Sequence, residues 1–344
     1  MRFLRTFHNP LLLSAIFASS FAAGQVTLAF PASHKVVTLS VPDKPAAMQM
    51  DILHLKVAKN GLTPGGVSRT FLAQDGSWVL SVHISRADRQ FDSRGLRDYA
   101  SNGISKGPLK IERVRNYEQG QMAVQEYMVE NFQGQNVHQK NVFAYMVSGN
   151  QWFDVHVSKA LYDPAYDEKF LNSMLSSIKL IERYEPDTRV EFENGSFFYL
   201  EDDWVRAAQH YEKALDIARR QRRRALTPTE WRVLVDNLGM AYGMSRNLEK
   251  AKATFQYGIT QDPAYPMFHY NLACTYAELD DLDSALGDLK SAFRYRENGI
   301  RGEGMPDPTK DNSFKRYLGD ARFVATARQV CPESRQTATG FICQ

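Results

Sequence analysis

The chain has 344 residues, 43% of them hydrophobic and 12% aromatic, ample for a sizeable core and for about two domains. This composition excludes a disordered chain. With 42 Lys and Arg against 39 Asp and Glu, the charges nearly cancel. There is then no electrostatic reason to expect nucleic acid as a partner.

The first segment reads as an export signal. Basic Arg2 and Arg5 precede the apolar run from Leu11 to Phe17, and the small residues from Ala18 to Gly24 offer a cleavage site. Residues 1–24 are therefore expected to be removed and the mature chain to be periplasmic or secreted. An uncleaved anchor is the alternative, although the apolar run is shorter than the ~20 residues a bilayer requires. No cysteine lies near the cleavage site for lipid attachment, and no later segment reads as transmembrane.

Residues 25–185 are expected to form an α+β domain. Period-two alternation marks strands at Met50 to Val57, Arg69 to Ala73, Trp78 to Ser85, Lys110 to Tyr117, Met122 to Phe132, Asn136 to Val147 and Gln151 to Ser158. Short links such as Asp75-Gly76 and Ser148 to Asn150 join antiparallel neighbours. Two amphipathic helices interrupt the strands. One runs from Ser93 to Ile104; the other runs from Pro164 to Ile181, with Asp163 as N-cap and Pro164 at its first position. This order, closing on the strand Trp152 to Ser158 and the helix that follows, resembles the fold of PsbP and Mog1-like domains. The resemblance implies a binding or accessory module and transfers no catalytic residue.

Near Tyr184 to Asp187 the period becomes helical, which places a boundary at about residue 186. Residues 232–265 and 266–299 then repeat. Leu238, Gly239, Tyr242, Ala251, Phe255, Gly258 and Pro263 align with Leu272, Ala273, Tyr276, Ala285, Leu289, Ala292 and Glu297. An earlier copy over residues 188–221 carries Gly195, Phe198, Ala207, Tyr211 and Ala214. These residues resemble the tetratricopeptide repeat (TPR), although Val235 and His269 stand at its leading Trp and the last copy lacks its closing Pro. The resemblance implies stacked two-helix hairpins over residues 186–328, in which Gly239 or Ala273 lets Ala251 or Ala285 of the second helix approach. Phe314, Tyr317, Leu318 and Phe323 suggest a capping helix near 312–328. The first copy starts ten residues early, read as an extension of its second helix through Arg224.

Stacked hairpins present their first helices on a concave face. Helical projection puts Phe192, Tyr199, Met240, Met244, Met267, Tyr270 and Glu278 there, a soft apolar surface suited to a peptide; packing between repeats is the plainer role for several of them. Some TPR proteins clamp a carboxylate here. Asn237 and Asn271 fit that pattern, but Phe192 and Met267 stand where basic residues belong, which argues against it. The run Arg219, Arg220, Arg222, Arg223 and Arg224 suits a solvated helix end, with docking of an acidic partner as the alternative.

In the tail, residues 329–344, Cys331 and Cys343 bracket a polar stretch and suit a disulfide in an oxidising compartment, while Cys274 reads as a packed thiol. No nucleophile, phosphate-binding, zincin or Cys-x-x-Cys motif occurs, and none points to a cofactor. His83 and His156 fall on the polar side of their strands. Two readings follow: a non-enzymatic interaction protein of the bacterial envelope, or a ligand-binding or hydrolytic sheet domain whose repeats recruit substrate.

Overall fold

The computed structural model describes residues 36–221 and 225–331, and the backbone alone of 334–337 and 340–343. Two compact units divide between Glu185 and Pro186.

The N-terminal unit is built on an antiparallel sheet of seven strands: β3 (Lys56–Leu62), β4 (Arg69–Gln74), β5 (Trp78–Arg86), β6 (Glu112–Gln119), β7 (Met122–Phe132), β8 (Gln135–Ser148) and β9 (Gln151–Lys159). Their spatial order is β3-β4-β5-β9-β8-β7-β6. Hairpin turns carry every connection except β5 to β6, which passes through a helix, and Gly76, at φ +93°, takes the left-handed conformation that a side chain would strain. A second, three-stranded sheet has the order β1-β2-β10, from β1 (Val36–Ser40), β2 (Ala47–Asp51) and β10 (Lys179–Ile181). Helix α1 (Ser93–Ser105) and helix α2 (Pro164–Ser177) complete the unit, capped by Asp92 and Asp163.

Alternation divides the seven-stranded sheet into two faces. Phe71, Leu80, Val82, Val142, Phe153 and Val155 point to one, where they pack with Met48 of the small sheet and with Leu171, Met174 and Leu175 of α2. Each such buried side chain contributes about 2 kcal/mol. On the other face α1 lays Leu96 and Ile104 on Tyr127, Val129, Phe143 and Tyr145.

Three expectations need correction here. The strand expected from Met50 to Val57 is two strands, because Leu53 turns to φ +55° and its N–H donates to Asp51 Oδ1 at 2.8 Å. The helix expected to reach Ile181 ends at Ser177, since Ile178 is extended and Lys179–Ile181 pairs with β2 instead. The strand expected from Lys110 to Tyr117 begins two residues later, at Glu112.

The C-terminal unit contains α3 (Thr188–Leu200), α4 (Trp204–Arg220), α5 (Pro228–Met244), α6 (Leu248–Gln261), α7 (Pro266–Glu278), α8 (Leu282–Arg294) and α9 (Ala321–Val330). The first six pair as three hairpins. Each second helix is preceded by a left-handed residue, Asp202, Arg246 or Asp280, and capped by the side chain that follows, Asp203, Asn247 or Asp281. The turn chemistry thus repeats with the sequence.

Helix α4 does not run to Arg224. It ends at Arg220, Gln221 is extended, and α5 starts one turn early at a Thr227/Glu230 capping box. The ten extra residues therefore divide between a longer α4, a link and an early α5. The capping segment is also two pieces, a 3-10 turn at Asn312–Tyr317 and α9, because Asp320 accepts from Arg322 N and Phe323 N and starts a new helix. In the tail, the strands β12 (Ser334–Thr337) and β13 (Gly340–Cys343) join β11 (Met305–Pro306), which lies before it, in a small sheet of order β11-β13-β12.

Candidate functional site

Within each of the first two hairpins a glycine of the first helix meets an aromatic ring of the second. A Cβ at Gly195 would lie 2.6 Å from the Tyr211 ring, and one at Gly239 would intrude still further into Phe255. Between hairpins, a Cβ at Gly258 would lie 2.8 Å from Phe268. The small residues Gly195, Gly239 and Gly258 therefore admit aromatic rings. The result is a TPR-like array in which α3 packs on α5 and α5 on α7, so these three helices share one face.

Along α3 that face carries Phe192, Ser196 and Tyr199, all half-buried. Phe192 and Tyr199 stand 6.1 and 6.4 Å from the Tyr211 ring. Along α5, spacing of one turn aligns Asp236, Met240 and Met244, and Met244 is 53% exposed. The Asn237 amide donates to the Tyr211 hydroxyl at 3.1 Å, which in turn donates to Ser196 Oγ. Asn271 on α7 donates to Asp236 Oδ1 at 2.8 Å. Both asparagine amides are thus committed within the array.

The α7 part of the face is occupied by the chain itself. Tyr270, expected to meet a partner, is only 1% exposed. Its hydroxyl donates to Asp311 Oδ2 at 3.0 Å, and the buried Phe314 ring sits 6.4 Å away, edge-on. Cys274 turns its thiol to the same carboxylate at 3.7 Å, and burial holds that thiol well above its ordinary pKa. The Tyr317 hydroxyl donates to Ala277 O, and Tyr265 donates to Glu303 at 2.9 Å. Met267 packs against this cluster, and Glu278 pairs with Arg246 at 3.1 Å. Helical projection could not reveal the covering, because Asp311 and Phe314 lie about 40 residues from their contacts.

The face is short of positive charge. Among the described residues no cation pairs with Asp236; burial, the largest influence, raises its pKa to about 7 against the opposing Asn271 bond. Glu303 adds negative potential nearby, and Tyr199 is pushed up to about 12, mainly by burial. Three arginines around the array are already matched. Arg189 meets Glu230 at 3.0 Å, Arg232 meets Asp262 at 2.8 Å, and Arg246 is taken by Glu278.

The basic run divides. Arg219 lies 4.2 Å over the Tyr257 ring and pairs with Asp216, while Arg220 is exposed at the end of α4. Arg222, Arg223 and Arg224 lie outside the described residues, as do residues 1–24 and the Cys343 side chain. Cys331 is disulfide-bonded and Cys274 is free.

In the N-terminal unit His83 stands opposite Asp154, and Tyr145 faces Asp154 from the other side. Burial raises the Asp154 pKa to about 7 and lowers that of His83. His156 bonds Asn141 at 3.0 Å and stacks on Phe143 at 4.1 Å. Its neighbour across on β5 is Ser81, while His83 lies opposite Asp154. Among the described residues no group of His, Cys, Asp and Glu could hold a metal, and no helix is long and apolar enough to cross a membrane.

No protein-family model matches the chain, and no curated protein is similar to it. Among solved structures it is similar to the TPR domain of Sgt2 from Aspergillus fumigatus (18% identity, TM-score 0.30, covering 44% of this chain and 88% of that one). It is also similar to the first TPR of Spaghetti (RPAP3) bound to the HSP90 peptide SRMEEVD (14%, 0.30, 40% and 94%). A third is PcrH from Pseudomonas aeruginosa (17%, 0.29, 42% and 90%).

Proposed function

We propose that this chain is a non-enzymatic interaction protein of the bacterial cell envelope, and that it binds a protein partner through the α3 and α5 part of the array face. The observation that carries this reading is the stripe of Phe192, Tyr199, Met240 and Met244. It stays accessible where the equivalent α7 surface is covered by residues 303–317. Methionine and aromatic side chains adapt to an apolar helix or strand and bury area at small entropic cost.

Export rests on the leader-like residues 1–24, and the Cys331 disulfide suits an oxidising compartment. We read the N-terminal unit as an accessory binding module of the PsbP and Mog1-like kind, since its antiparallel sheet carries a helix on each face, as that resemblance implies.

The test is site-specific crosslinking in periplasmic extract, with a photoreactive residue at Met244 or at exposed Arg220. A partner recovered from position 244, and lost when Met240→Glu is added to a chain that still folds, is the expected result. Equal recovery from both positions would remove the array face from consideration.

A further inference from the structure

Resting on that reading, we infer that the partner segment is cationic as well as apolar: an amphipathic peptide whose leucine-like side chains seat on Tyr199, Met240 and Met244 while its lysines or arginines meet Asp202, Asp236 and Glu303. The apolar part is continuous. Leu200 (60% exposed) and Val205 (59% exposed) follow Tyr199 around the α3–α4 turn, and Met244 approaches the same turn. There, Glu201, Asp202, Asp203, Trp204, Val205 and Ser245 line a hollow of about 470 Å³. Large apolar side chains so exposed, grouped and rimmed by polar groups mark contact surfaces.

Charge decides which apolar segment fits. Asp236 sits mid-stripe on α5 with a neutral amide as its partner. Glu303 is held by the Tyr265 hydroxyl and the Ile300 N–H, both neutral donors. The Asp202 carboxylate has no ion-pair partner among the described residues, whereas Asp203 is used by Arg206 at 2.6 Å. Arg189, Arg232 and Arg246 are matched to carboxylates, as described above. A cation entering the face thus finds Asp202, Asp236 and Glu303 without an ion-pair partner among the described residues, Asp236 being ionised once the pH passes about 7 or a cation reaches it. A partner carboxylate would be repelled by all of them, which is why Asn237 and Asn271 do not make an anion clamp here. In a partly desolvated groove such complementarity sets partner choice more than it adds affinity.

The experiment titrates the full chain at pH 8, above the Asp236 pKa, with four capped, helix-forming synthetic peptides of equal length: leucine with lysine, leucine with glutamine, leucine with glutamate, and serine with lysine. The leucine–lysine peptide should bind about tenfold more tightly than the leucine–glutamate one, with glutamine between, and the gap should narrow as salt is raised. The Asp202→Asn, Asp236→Asn double variant keeps the shape of both side chains and should reduce the gap to about twofold. If all three leucine peptides bind alike, the charge inference falls and the apolar face survives. Equal binding of the serine–lysine peptide would show unspecific attraction and overturn the inference. If no leucine peptide binds, both the inference and the apolar face are wrong.

Discussion

The Tyr270 hydroxyl donates to Asp311 across 41 residues of sequence, and this contact closes the α7 part of the array face to any partner. Phe314 completes the closure by burying its ring beside Tyr270. Residues 303–317 are thus part of the third hairpin's packing. Phe314→Ala should cost about 3 kcal/mol through the cavity it leaves. Tyr270→Phe, which removes one of the donors to Asp311 and leaves the Ser313 N–H and the Cys274 thiol in place, should cost about 1 kcal/mol. Urea unfolding followed by tryptophan fluorescence measures both, and a Phe314→Ala chain as stable as wild type would mean that this segment is only laid on the surface.

Gly239 admits the Phe255 ring where no Cβ fits. In an open helix Gly→Ala would gain about 1 kcal/mol from propensity. Here the clash dominates, and Gly239→Ala should lose about 2 kcal/mol. The double variant Gly239→Ala, Phe255→Leu should recover part of that loss, whereas two costs that simply add would deny the contact.

Asp154 supplies a pH dependence whose sign is set by burial. Its folded pKa, about 7, stands above the ordinary 3.8, so the folded chain holds this proton more tightly than the unfolded one. The contribution is complete below about pH 4 and is lost as pH rises through about 7. Asp236 moves in the same direction and for the same first cause. Asp154→Asn should therefore be more stable than wild type at pH 8 by about 2 kcal/mol, and the difference should vanish near pH 4. Denaturation midpoints at several pH values test this, and a gap that does not change with pH would show that Asp154 is not the titrating group.

The His210 Nδ1 lies 2.5 Å from the Glu191 carboxylate, with both side chains almost fully buried and the Phe198 ring stacked 5.2 Å from the imidazole. This pair ties α3 to α4 inside the first hairpin. Glu191→Ala leaves the imidazole without its carboxylate and should cost about 3 kcal/mol, while Glu191→Gln keeps an acceptor oxygen and should cost about 1 kcal/mol. Hydrogen exchange localised to α3 and α4 would report the loss; even protection changes across the whole unit would argue against a local tie.

The repeat spacing, the cap at Asp163 and the strands β7 to β9 were legible because each depends on residues a few positions apart, whereas the caps at Asp92 and Thr227 came only with the structure. The small sheet was not. Val36–Ser40 and Lys179–Ile181 are strands only because the edges of Ala47–Asp51 accept them. A helical stripe of Phe170, Met174 and Ile178 therefore read through a segment whose last residues pair elsewhere. Of the residues that local periodicity put on the array face, Phe192, Tyr199, Met240 and Met244 remain partly or well exposed, whereas Tyr270 is buried under residues far along the chain.

By itself the sequence determined the helical hairpins, their 34-residue period and the alternation of the long strands, because side-chain periodicity and capping are written within a turn or a pleat. Only the tertiary structure decided which part of the array face is open, which carboxylates lack a cation and which glycine meets which ring. Those outcomes depend on contacts between residues tens of positions apart, which hydrophobic pattern constrains but does not specify.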